Sequence, residues 1–252
     1  MSTLVTSELR KVLTLRFWWA LAVAPVVIAL FTGAIYGTVA DGLELVDEEN
    51  PEAAATIALM IAILATSLAA AVFGAVNAGS EFRHHTFTPT FLTTRGRDPV
   101  LAAKLGVTAL FGFGYAVAVE IVTVACLLVF GGDSIEFTPQ FLTLLPVAVV
   151  VTTLWALLGA GLSLLFASST AAAVTLLAWF PVGELIVGAV LRSVGADGAV
   201  GWLPGALTLS TLTFPVGIEW LPPWQASLVA LTIWTVAACG LGWWWTRRRD
   251  ID

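Results

Sequence analysis

Six long apolar runs, at about residues 17–40, 53–78, 105–130, 141–166, 171–191 and 225–246, constrain this chain more than any other feature. Crossing about 30 Å of hydrocarbon at 1.5 Å of helix rise per residue takes roughly 20 apolar residues, and each run reaches or exceeds that length. A soluble fold has no means of covering so much apolar surface. Hydrophobic residues make up 59% of the chain and charged residues 11%, against about 45–50% and 25% in soluble domains. The first run, at roughly 24 residues, outlasts the about 7–15 of a signal peptide, and no small-residue cleavage site follows it, so it is expected to stay attached. The fold class expected is an all-α integral membrane protein with six transmembrane helices in a single domain, 1–252. Cys126 and Cys239 lie inside apolar runs and read as small packing residues.

The basic residues give an orientation, because cytoplasmic loops near span ends carry the excess of Lys and Arg. With the N-terminus inside, ten of the 11 basic residues fall on the cytoplasmic side and only Arg192 falls outside. An even number of spans then puts both termini in. Ten of the 17 acids face out in this arrangement, among them Asp41, Glu44, Asp47, Asp133, Asp197 and Glu219.

Segment 192–224 is apolar but broken by Pro204, Pro215, Pro222 and Pro223. Proline removes a helical donor and clashes with the preceding turn, so one straight crossing is excluded. Short outer re-entrant or interfacial helices are expected there, with Trp202, Trp220 and Trp224 at headgroup level. Residues ahead of the first run, which include Glu8, Arg10, Lys11 and Arg16, read as a polar helix-forming stretch.

Several chemistries are missing. The only lysines, Lys11 and Lys104, do not end a glycine-rich phosphate loop, so no nucleotide site of that type and no enzymatic activity is expected. His84 and His85 are adjacent and diverge by about 100° on a helix, which rules out a two-histidine metal face. Gly159-Ala160-Gly161-Leu162-Ser163 lacks the order of a nucleophile elbow and reads as a close-packing stretch. No cofactor or metal is expected in the chain, and no nucleic-acid partner.

Two carboxylates stand inside apolar runs, Glu120 and Glu184. Each costs on the order of 2.5–3.5 kcal/mol at a helix centre, so each should face protein or a wet cavity. Counted from the expected cytoplasmic ends, both lie roughly 20 Å deep. Pro181, Glu184 and Gly188 share one helical face, combining a kink, a polar group and a small residue. Glu120, Pro181 and Glu184 are therefore the candidate substrate-pathway residues; the alternative is that the carboxyls hold helices together.

The stretch 79–104 mixes charge with Phe82, Phe87, Phe91 and Leu92. Phe87 and Phe91 are four apart, which suits one apolar face of a short helix docking into a partner's groove; a basic amphipathic segment lying on lipid is the other reading. Glu81, Phe82, Arg83, Thr86, Leu92, Arg95, Arg97 and Lys104 stand in the order found in the membrane subunits of ABC-2 type ABC exporters, which the chain resembles over nearly its full length. It differs at His85, where a glycine is common, and at Thr94, where a proline is common.

The resemblance implies a half-transporter. A cytoplasmic coupling helix between helices 2 and 3 would carry Glu81, Phe82, Arg83, Thr86, Phe87, Phe91, Leu92, Arg95 and Arg97 to two separate ABC ATPase subunits, which hold the ATP and magnesium. Glu8, Lys11 and Arg16 would lie on the family's interfacial helix, and a second six-span half, identical or homologous, would complete a path through the cell membrane of a prokaryote. The cargo would be a hydrophobic or amphipathic drug, peptide antibiotic or lipid. The rival classes are a proton-coupled secondary transporter using Glu120 and Glu184, and a non-transporting membrane scaffold or antibiotic sensor.

Overall fold

The structure is a computed structural model that describes residues 2–39, 53–83, 96–132, 137–215 and 220–248. Among the described residues all regular structure is helical. A short helix α1 (Ser2–Thr14) turns through Leu15 and Arg16 into α2 (Phe17–Val39); the long helices α3 (Ala53–Arg83), α4 (Arg97–Gly131) and α5 (Pro139–Phe166) follow. Then come α6 (Ser169–Ala178), a π-helical turn (Trp179–Gly183), α7 (Glu184–Ser193), two short helices α8 (Asp197–Val200) and α9 (Pro204–Leu212), and α10 (Trp224–Arg248). Among the described residues six helical stretches are long and apolar enough to cross a membrane: α2, α3, α4, α5, the continuous Ser169–Ser193 run through α6 and α7, and α10. By length and composition this is a multi-pass membrane protein.

Two helices outrun their apolar runs by more than a turn. The 53–78 run continues to Arg83 and the 105–130 run begins at Arg97, because the polar residues in the added turns, Glu81 and Lys104 among them, find partners inside the bundle.

Helix α5 is the central post, packed against α3, α4, α6, α9 and α10. Without a hydrophobic drive between helices in lipid, association depends on close backbone approach, and small residues supply it. Gly74 of α3 lies against the Ala156 backbone and Gly159 of α5 against the Ala71 backbone; Gly161 and Gly242 seat α10 in the same way. The 159–163 stretch is thus a packing surface on two sides. The buried residues of α2, Pro25, Ala29, Gly33 and Gly37, repeat every four positions and form one seam. Gly33 lies against Thr123 and Cys126 of α4.

The Pro-broken segment folds into α8 and α9, and α9 is enclosed: Ala206, Leu207, Thr208, Thr211 and Leu212 are all buried. Trp155 Nε1 of α5 donates to Thr208 Oγ1 at 2.8 Å, and Ser227 Oγ of α10 bonds Ser210 Oγ at 2.9 Å.

Candidate functional site

One end of the bundle gathers α1, the end of α3, the start of α4 and the end of α10. On α1 the inward face is set by fourfold spacing: Leu4 is half-buried, while Glu8 and Val12 are buried. Glu8 enters a cluster of four charges. Lys104 Nζ lies 2.9 Å from Glu8 Oε2 and 3.1 Å from Glu81 Oε1, and Lys11 Nζ lies 3.0 Å from the same Glu81 oxygen and also pairs with Glu8. Lys104 is 2% exposed, Glu8 3% and Glu81 6%, so three of the four charges are out of solvent and depend on one another. Asn77 supports the cluster, its carbonyl 3.4 Å from Lys104 Nζ and its side chain donating to Thr108 Oγ1 at 2.9 Å.

This arrangement changes the reading of two residues expected to face a partner. Glu81 is buried with Oε1 occupied by both lysines, and Phe82 packs on Ala78, Leu101, Ala160 and Leu164. Both anchor the end of α3 within the bundle. Arg97 is engaged too: its Nη1 donates to the carbonyls of Thr246 and Arg247, each at 3.1 Å, covering carbonyls that the last turn of α10 leaves without helical partners. Asp98 accepts from Trp243 Nε1 at 2.9 Å and pairs with Arg247 Nε at 3.3 Å. Arg16 is exposed at the bend between α1 and α2. Thr86, Phe87, Phe91, Leu92, Arg95 and the side chain of Arg83, with the expected coupling helix, lie outside the described residues.

Burial works against the charge on Glu8, but Lys104 and then Lys11 outweigh it and hold the carboxyl below its ordinary 4.5. Burial likewise opposes Lys11, yet its bonds to Glu8 and Glu81 raise it above 10.5. A depressed carboxyl stabilises the folded state above its unfolded pKa and loses that contribution as pH falls through the folded value; the raised lysine contributes below its unfolded pKa. The charged Glu8 therefore steadies α1 across the neutral range. The Tm difference between the native chain and Glu8→Gln, measured in detergent, is expected to be constant near neutrality and to close as pH drops below about 4.5, since protonation and amidation remove the same charge.

The two intramembrane carboxylates occupy different settings. Glu184 Oε2 accepts from Gly205 N–H at 2.7 Å and Oε1 from Ala206 N–H at 2.6 Å. Those are orphan donors in the first turn of α9, so Glu184 serves as its N-terminal cap from 21 residues away, and the helix dipole favours the negative charge there. Pro181 provides the geometry. Lacking an N–H, it sits within the π-helical turn, where the Glu184 N–H reaches back to the Trp179 carbonyl, and Gly188 lies against Val200 of α8. Pro181, Glu184 and Arg192 also line a cleft of about 400 Å³ with Trp220 and Leu64. Glu120 has no such cap. It is 9% exposed, its Oε1 has no hydrogen-bond partner among the described residues, and it lines a cleft of about 560 Å³ between α4 and α5.

Lys104, Gly205 and Asn77 have structural roles that sequence spacing did not reveal. Among the described residues no group of three or more His, Cys, Asp or Glu side chains is placed to hold a metal ion. No known protein family matches the sequence, and no curated protein does.

Proposed function

We propose that the chain is the membrane-spanning permease subunit of an ATP-driven exporter of the ABC-2 type, moving a hydrophobic or amphipathic cargo out of the cytoplasm or inner leaflet of a prokaryotic cell membrane. In this reading the end holding Lys104 and Arg97 is cytoplasmic, both termini lie there, α1 lies along the membrane surface, and α8 and α9 enter from the outside. Two separate ATPase subunits supply ATP and magnesium chemistry, and a second six-span half completes the path.

The observation that carries the reading is how segment 84–95 is mounted. Its leading flank holds Glu81 and its trailing flank holds Arg97 and Lys104; through these residues the two flanks are tied to each other, to α1 and to the end of α10. A push on that segment moves α1, α3, α4 and α10 together, as a lever driven from outside the membrane requires. A loop that only joined two spans has no need of buried charges to fix its ends.

Proton-coupled transport has one observation in its favour, Glu120, whose Oε1 has no hydrogen-bond partner among the described residues; Glu184 is already committed as a cap. The two readings separate in inverted vesicles. Co-expressed with a phosphate-loop ATPase from a neighbouring reading frame, the chain should move cargo on addition of ATP, and Arg95→Glu should cut that rate by about tenfold or more, a loss on the scale of one or two charge-assisted contacts, while membrane insertion stays normal. Arg95 is the charge to reverse because Arg97 is spent on α10. ATP-driven transport indifferent to Arg95→Glu removes the coupling assignment, and transport that needs only a proton gradient removes the exporter reading.

A further inference from the structure

The cleft between α4 and α5 has no part in the lever just described. We propose that it is a binding site for a lipophilic cation, entered sideways from the apolar phase, with the Glu120 carboxylate as its counter-charge. Its walls are Phe113, Val117, Pro146, Val149, Val150 and Leu154, and Phe113 and Val150 stand exposed at its mouth. Among the described residues the only other polar side chain lining it is Thr153, whose hydroxyl donates to the Val149 carbonyl at 2.8 Å. The cleft thus presents one acid to a ligand and no side-chain donor committed to it.

Three classes of ligand are sorted by that composition. An anion meets a buried carboxylate inside apolar walls and is repelled. A hard metal ion wants six or more oxygen ligands and finds one carboxylate. An organic cation fits both features: its charge offsets Glu120 without requiring hydrogen bonds, and its apolar body lies against the walls and the Phe113 ring. No internal cation competes, because the sequence contains no Lys, Arg or His between Lys104 and Arg192, and no described basic group forms an ion pair with Glu120.

Binding does not depend on the exporter reading; only the assignment of the ligand as cargo rests on it. The full-length chain, in nanodiscs of zwitterionic lipid and without any ATPase, is titrated with radiolabelled tetraphenylphosphonium, and with tetraphenylborate as the anion of matched size. Saturable binding of the cation and none of the anion is expected. Glu120→Gln should weaken cation binding by about tenfold or more, the scale of one desolvated charge contact. Val150→Trp, which keeps the charge but fills the mouth, should weaken it comparably. Thermal melts confirm that both variants are folded. An absence of saturable cation binding, equal uptake of both ions, or Glu120→Gln binding within about twofold of native overturns the site, the last showing that the carboxyl is neutral and only structural. If binding survives but ATP-driven transport is never found, the exporter reading fails and the site stands.

Discussion

Lys104→Met is expected to destabilise the protein by about 3–5 kcal/mol, enough to leave most of it aggregated on extraction from membranes. The side chain is of similar length and apolar, so lost packing contributes little. What remains is the cost of two buried carboxylates: Glu8 and Glu81 share Lys104, and only the half-exposed Lys11 is left to neutralise both. Glu81 is the more compromised, because its Oε2 already lacks a hydrogen-bond partner among the described residues. The effect should be conditional on charge. Adding Glu8→Gln to Lys104→Met leaves one carboxylate against one lysine and should recover at least half of the loss, read as apparent Tm and monodisperse yield in detergent. A double variant no better than Lys104→Met alone would show that Lys104 acts by packing rather than by charge.

The contrast between what sequence revealed here and what it did not has a physical basis. Spans are legible because bilayer thickness is a ruler applied to contiguous residues: the run read at 17–40 ends at Val39, and that read at 141–166 opens two residues earlier, at Pro139, with Thr138 Oγ1 capping it from outside. Prolines 204, 222 and 223 also acted locally, breaking a crossing into α8 and α9. The charge cluster is different in kind. Glu8, Glu81 and Lys104 come from three helices, 96 and 23 residues apart along the chain, and nothing at any one position marks them as partners. Lys104 sits about two turns inside the helix that starts at Arg97, a depth hidden in the sequence because the apolar run opens only after it, and a lysine so placed is costly without acids from neighbouring helices.

The intramembrane acids divide along the same line. Hydropathy alone shows that Glu120 and Glu184 need explanations, but the explanation of Glu184 is a helix terminus that does not exist until the chain has turned back through α8. A Cβ at its partner Gly205 would come within 2.5 Å of the Glu184 carboxylate and push it off the cap. Glu184 is half-buried and lines a cleft with Pro181, and its carboxylate also accepts two N–H groups at the start of α9, so a pathway role there is shared with the cap. Glu120 keeps that functional reading because it has no such partner among the described residues.

Gly159→Ala is expected to separate the two central helices, with a cost at or beyond the upper end of the about 1–3 kcal/mol typical of overpacking. A Cβ at residue 159 would lie 1.9 Å from the Ala71 carbonyl oxygen, and one at Gly74 would lie 1.9 Å from the Ala156 carbonyl oxygen. In both cases the obstacle is backbone rather than a side chain that can rotate aside, so relief requires α3 and α5 to move apart by more than an ångström. That movement spreads, because α5 also carries Trp155 to Thr208 of α9 and Gly161 to the backbone of α10. Gly114→Ala is the internal control: nothing lies within 4 Å of a Cβ there, and alanine's better helix propensity makes it neutral or stabilising by up to about 1 kcal/mol. Melting the two variants side by side isolates helix contact from helix propensity. Equal Tm values would mean that the bundle is loose enough to absorb a methyl group at its tightest crossing. The proposed lever would then lack the stiffness to carry a push from segment 84–95 to the far end of the bundle.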